Sequence, residues 1–128
     1  MRPIKFRAKN INGVWYYGCL VYSNELDAAI YFQTGNGSVK VMDWVYVNPE
    51  TVGQFTGLYD CDGKEIFEGD ILDFNGLTVE VRFVRGVFAF LANGDIDEEL
   101  CGDCRTDLFA KVIGNVYENP DILKGGKK

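Results

Sequence analysis

The chain contains no histidine, so Ser–His and Cys–His nucleophilic relays and imidazole metal sites are excluded from the start. What remains for proton or metal chemistry is carboxylates and thiols. Glu68 and Asp70 stand two apart and could serve as acid and base, provided an enclosed cleft raises one of them. Cys101-Gly102-Asp103-Cys104 has the spacing of half a zinc site or of a redox pair. Its would-be complement, Cys19 and Cys61, consists of isolated thiols, and no βαβ pattern surrounds the pair, so an ordinary loop is the reading. Asp60-Cys61-Asp62-Gly63 copies the middle of a calcium loop. Aligned on Gly63, the first ligand position falls on Leu58 and the bidentate glutamate position on Gly69, which leaves a tight turn. Asp95, Asp97, Glu98, Glu99 and Asp103 read as the solvated start of a helix. No metal, cofactor or catalytic residue is expected.

The 128 residues carry 13 Lys and Arg against 19 Asp and Glu, a formal charge of −6. That balance counts against nucleic acid as a default partner, because non-specific affinity comes from cations displacing counterions. With 47% apolar and 25% charged residues, the chain reads as one globular domain or two small lobes. No apolar run approaches the ~20 residues of a bilayer crossing, and no signal pattern follows Met1, so a cytoplasmic, reducing location without membrane contact is expected.

The elements that must position any site are strands, since short alternating runs recur between Gly and Asn. Ile4 to Lys9 places Ile4, Phe6 and Ala8 on a core face and Lys5, Arg7 and Lys9 on a wet one. Asn12-Gly13 predicts a type I′ hairpin into Val14–Tyr22. Residues 29–33 and 39–47 flank Gly35-Asn36-Gly37-Ser38 as a second hairpin. The later strand is apolar on both sides, with Val39, Val41, Val45 and Val47 opposite Met42, Trp44 and Tyr46, so both faces are expected to be covered. Asn48-Pro49 marks a break and a lobe boundary.

Beyond it, turns at Asn75-Gly76, Arg85-Gly86 and Asn93-Gly94 space three short strands. Leu77, Val79, Val81 and Phe83 point inward in this meander, which favours a small barrel. Asp95 is expected to cap the one helix, ending at Gly102, and residues 110–117 form the last strand. The expected fold is mainly β: an antiparallel lobe over 1–50, a small barrel over 51–120 and a flexible tail over 121–128.

The chain resembles the YopX family of small phage and prophage proteins on three blocks in order. They are Arg2-x-Ile4-Lys5-Phe6-Arg7-Ala8 with Trp15-Tyr16-Tyr17-Gly18, then Pro49 to Leu58 running on through Gly63 to Ile71, then Val112 to Pro120. The resemblance implies a β-rich fold whose later half is an SH3-type barrel. It brings no activity and no catalytic residues.

Gln54, Thr56, Glu68, Asp70 and Asn115 are the polar residues of these blocks that a barrel does not need. They read as satisfied turn and strand-end groups or as the lining of a binding cleft. Trp15, Tyr17, Trp44 and Tyr46 divide the same way, between core packing and a recognition surface. The leading expectation is a non-enzymatic module that engages a host or phage protein, or assembles with itself as a homo-oligomer. The alternative is a nucleic-acid binder using Lys5, Arg7 and Lys9 beside Trp15 or Tyr17.

Overall fold

The computed structural model describes residues 4–24, 27–35, 37–96 and 105–125. The chain divides into two compact units, residues 1–55 and 56–128. Each has its own hydrophobic cluster.

The first unit is an antiparallel ladder. Strands β1 (Phe6–Lys9), β2 (Trp15–Tyr22), β3 (Ala28–Thr34), β4 (Val41–Val47) and the start of β5 (Gly53–Tyr59) lie in the order β4-β3-β2-β1-β5. Alternation then decides the faces. Leu20 pairs with Ile30, Ile30 with Val45, and Ala28 with Val47, and these side chains join Phe6, Ala8, Tyr16 and Phe32 in the core. β2 pairs with β1 through residues 15–18 and with β3 through residues 19–22. Gly18 stands at the changeover, where a Cβ would overlap the Tyr31 carbonyl oxygen.

Four expectations are corrected here. Asn12-Gly13 is not a type I′ turn, since Gly13 has a positive φ but Asn12 does not. The Asn10 side chain closes this loop instead, its Oδ1 accepting the Asn12 and Val14 N–H groups at 3.0 and 2.9 Å. Ile4 is exposed rather than in the core, while Arg7 is only 5% exposed rather than wet. β4 is not covered on both sides: Val41, Met42, Trp44 and Tyr46 are exposed.

The second unit holds the rest of β5, then β6 (Glu65–Phe67), β7 (Asp70–Phe74), β8 (Leu77–Val84), β9 (Val87–Ala92), β10 (Asp95–Ile96), helix α1 (Thr106–Phe109), β11 (Ala110–Asn115) and helix α2 (Pro120–Gly125). Five of the strands form an antiparallel sheet in the linear order β10-β9-β8-β7-β11. Three two-residue turns build its meander. Asn75-Gly76, Arg85-Gly86 and Asn93-Gly94 all have positive φ at both positions, the geometry that matches the twist of paired strands.

Ile66, Leu72, Phe74, Val79, Val81, Phe90 and Ala110 form the core of this unit. Leu77 and Phe83, expected inward, are exposed at the two ends of β8, and Phe83 packs edge-on against Phe88 at 5.0 Å. Asp95 pairs with Ala92 in β10 instead of capping a helix; the remainder of that expected helix, Asp97, Glu98, Glu99, Asp103 and the Cys101/Cys104 pair lie outside the described residues. The segment from 121, expected as a tail, is helical through Gly125, since Pro120 takes the first helical position, where its missing N–H costs nothing.

Candidate functional site

The register of the first unit gathers one class of residue on its outward face. Arg7 pairs with Tyr17 and Lys9 with Trp15; Cys19 pairs with Tyr31, and Tyr31 with Trp44. Alternation adds Val21 on β2 and Met42 and Tyr46 on β4 to the same side. Trp44 joins two neighbours, stacked with Tyr31 at 6.1 Å between ring centroids and edge-on to Tyr46 at 4.8 Å. Tyr17, Val21, Met42, Trp44 and Tyr46 are between 46% and 62% exposed. At the β1 side of the face the cations are already engaged. The Arg7 guanidinium lies 4.6 Å from the Trp15 ring centre, with the Lys9 ammonium at 5.5 Å, and the Lys5 ammonium lies 5.5 Å from the Phe55 ring.

Beside Tyr46 the surface dips into a dent of about 400 Å³ lined by Asn10, Ile11, Tyr46, Val47 and Asn48. Its asparagines are held by their own loops: Asn10 as above, and Asn48 through Oδ1, which accepts the Glu50 N–H at 3.0 Å at the start of the 3-10 turn Pro49–Thr51. Its apolar lining is Ile11, 96% exposed, with Tyr46 and Val47.

The polar residues of the second unit do different work. Thr56 Oγ1 donates to the Ile66 carbonyl at 2.8 Å and accepts the Leu58 N–H at 3.1 Å. Asp70, 1% exposed, accepts the Phe67 N–H at 2.8 Å. Asn115 Oδ1 accepts the N–H groups of Tyr117 and Glu118, and its amide donates to Glu118 Oε1. These groups tie turns to strand ends, as buried polar side chains usually do. Glu68, on the bend before β7, and Gln54, beside Phe6 in the first unit, are half-buried. Trp15, Tyr17, Trp44, Tyr46, Lys5, Arg7 and Lys9 thus share one face, and Thr56, Asp70 and Asn115 do not join it.

Two residues escaped the sequence reading. Tyr31 links Trp44 to β2, and only the β3–β4 register reveals it. Asp60 is 3% exposed; Oδ1 accepts the Asp62 and Lys64 N–H groups, both at 2.9 Å, and Oδ2 accepts the Val112 N–H at 3.0 Å. Burial alone would push its carboxyl up, but the three N–H groups and the nearby Lys64 charge hold it below the usual carboxylate range. Its Asx geometry was legible from Asp60-x-Asp62-Gly63; the bond to Val112, across 52 positions, was not.

Among the described residues no group of three or more Cys, Asp or Glu side chains is placed to hold a metal ion. No described helix is long and apolar enough to cross a membrane.

Comparison with known proteins places this geometry in a lineage. A crystal structure of protein EF1440 from Enterococcus faecalis is similar with a TM-score of 0.62 and 22% identity, covering 96% of this chain and 99% of that one. This likeness speaks to the fold alone. No curated protein matches the chain. The family model described as YopX protein matches residues 5–124, which takes in both units from β1 to α2, and the chain therefore belongs to the YopX family.

Proposed function

We propose that this protein is a non-enzymatic protein-interaction module, phage- or prophage-encoded and working in the host cytoplasm, that docks a host or phage protein on the outward face of its first unit. One observation carries the reading: five large apolar side chains, Tyr17, Val21, Met42, Trp44 and Tyr46, stand about half exposed on a single face. Contiguous apolar surface of this kind marks interaction sites, and aromatic residues supply most of the binding energy where they occur in them.

A nucleic-acid reading has the same aromatics as stacking platforms. It is weakened by Arg7, which is buried and seated on Trp15, so that neither the cation nor that ring face is presented to a strand. Catalysis by Glu68 and Asp70 draws no support from the geometry, since Asp70 is fixed by the Phe67 N–H.

The test is affinity capture from lysogenic host cells with the wild-type chain and with a Tyr17→Ser/Trp44→Ser double variant, read by mass spectrometry. The expected result is a protein recovered by the wild type and depleted about tenfold or more by the variant, as for loss of an interface anchor. Equal recovery by both chains overturns the reading. So does salt-sensitive binding of oligonucleotides that the double variant abolishes.

A further inference from the structure

β4 is the last strand of its ladder. β3 lies on one side, and among the described residues no strand lies on the other. The Trp44 N–H donates to the Asp43 side chain, Oδ1 at 2.8 Å, and not to β3. Trp44 therefore turns its backbone away from β3, and the alternation of an antiparallel ladder turns Met42 and Tyr46 the same way. The next residue of that parity, Asn48, donates its N–H to the Lys9 carbonyl at 2.8 Å. The edge is thus open as far as Tyr46 and closed by the end of β1 beyond it. The dent lined by Ile11, Tyr46 and Val47 sits at that closing point.

Exposed edges are normally blunted by charge, proline or a bulge. Over Val41–Val47 the sequence supplies one such device, Asp43, whose carboxylate occupies the Trp44 N–H. We infer that the open edge of β4 is a strand-docking site for an extended segment of a partner protein. That segment has apolar side chains in alternation, a Lys or Arg opposite Asp43, and an apolar group seated in the dent beside Ile11 and Tyr46. The inference rests on the reading of the first unit as a protein-docking module and names the partner's chemistry.

A second copy of this chain does not meet these terms. Any antiparallel self-pairing that joins the outward backbone groups of Met42, Trp44 and Tyr46 sets Asp43 opposite a residue of its own parity. Around the middle of the strand that residue is Val41, Val45 or another Asp43, never Lys40. Each copy would bring an unanswered carboxylate to the junction, and like charges across strands destabilise. On docking of a basic segment, the Trp44 N–H exchanges Asp43 Oδ1 for a partner carbonyl, and the freed carboxylate meets the cation.

The experiment uses the full chain, isotope-labelled, and the probe peptide acetyl-Thr-Val-Lys-Val-Thr-Val-Thr-amide with its Glu-for-Lys counterpart. Slowed amide exchange at Met42, Trp44 and Tyr46 is expected, with the Lys peptide binding about fivefold tighter than the Glu peptide. Asp43→Lys is expected to reverse that order. Met42→Pro, which removes an outward donor while leaving the pairing to β3 intact, is expected to weaken binding about tenfold. The inference is overturned by unprotected amides at millimolar peptide, by indifference to the peptide's charge, or by self-association through β4. If Tyr17→Ser and Val21→Ser abolish host capture while Asp43→Lys and Met42→Pro do not, the docking face stands and the edge falls. If all four leave capture intact, the module reading falls with it.

Discussion

The two units share an apolar core each and differ in what surrounds it. The first 55 residues carry five Lys and Arg and four Asp and Glu; the remaining 73 carry eight and fifteen. In the first unit the register brings Tyr17, Val21, Met42, Trp44 and Tyr46 together on one exposed face, with Arg7 and Thr51 its buried polar residues. In the second, exposed apolar residues are scattered over β5, β8, β9, α1 and β11, while Thr56, Asp60, Asp70, Thr106 and Asn115 are buried. Thr106 follows the same habit as the others, donating through Oγ1 to the Tyr59 carbonyl at 3.0 Å. Buried polar groups with several backbone partners serve folding, because removing one strands its partners away from water. Half-exposed aromatics contribute little to folding for their size. Substitutions should therefore divide, with loss of stability in the second unit and loss of binding in the first.

The sharpest way to break that division is Asp60→Ala. It leaves the N–H groups of Asp62, Lys64 and Val112 without their acceptor, at a cost of about 3 kcal/mol. The only tryptophans, Trp15 and Trp44, lie in the first unit, so denaturation can be followed there by fluorescence and over the whole chain by far-UV circular dichroism. The dichroism midpoint should fall more than the fluorescence midpoint; equal shifts would mean that the units share their stability. The same residue predicts a pH dependence. The folded carboxyl is held below its ordinary value, so its contribution is fully present above the unfolded pKa, about 3.9, and is lost as pH falls through the folded value. Urea midpoints should decline below about pH 4 in the wild type, and by less in Asp60→Ala.

Gly18→Ala is the counterpart in the first unit. The added methyl must displace the Tyr31 carbonyl, and it also crowds the Ile30 side chain, whose Cγ2 lies 3.3 Å from the new atom's position. A cost of about 2 kcal/mol is expected, with the fluorescence transition now the more affected. Because Tyr31 orients Trp44, binding to the outward face should weaken even where the variant folds. A variant that loses stability and keeps full binding would separate the face from the β2–β3 register.

Much of this was legible in the residues. Asn75-Gly76 and Asn93-Gly94 announced their turns, and the alternation of Val79 and Val81 announced a core face. Long-range facts were not. The environment of Arg7 depends on what packs over its strand, so its alternation with Phe6 and Ala8 fixed its side of the sheet and not its burial. Met42, Trp44 and Tyr46 are as apolar as core residues, and only the position of β4 at the end of its ladder shows them exposed. The outward face therefore has no local signature, being a product of pairing, whereas the Asp60 turn is written in five consecutive residues and lacks only its distant partner.

The hairpin turns allow the finest version of the comparison. In the first unit Asn10 Oδ1 takes two N–H groups to help close the loop; in the second, paired positive φ values shape three two-residue turns, and at Asn75-Gly76 a side-chain bond assists, Asp73 Oδ1 accepting the Gly76 N–H at 2.9 Å. Left-handed φ suits Asn75 and Asn93, whose short polar side chains tolerate it, but Arg85 occupies the same region at φ 51°. Arg85→Asn should therefore stabilise the chain by about 0.5 kcal/mol, read as a higher dichroism midpoint with the fluorescence midpoint and peptide binding unchanged. The same exchange has no counterpart in the first unit, where Gly13 already supplies the one positive φ of its loop. A neutral or destabilising result would mean that the Arg85 side chain contributes contacts worth as much as the strain, and this turn would then depend on a side chain as the first unit's loop does.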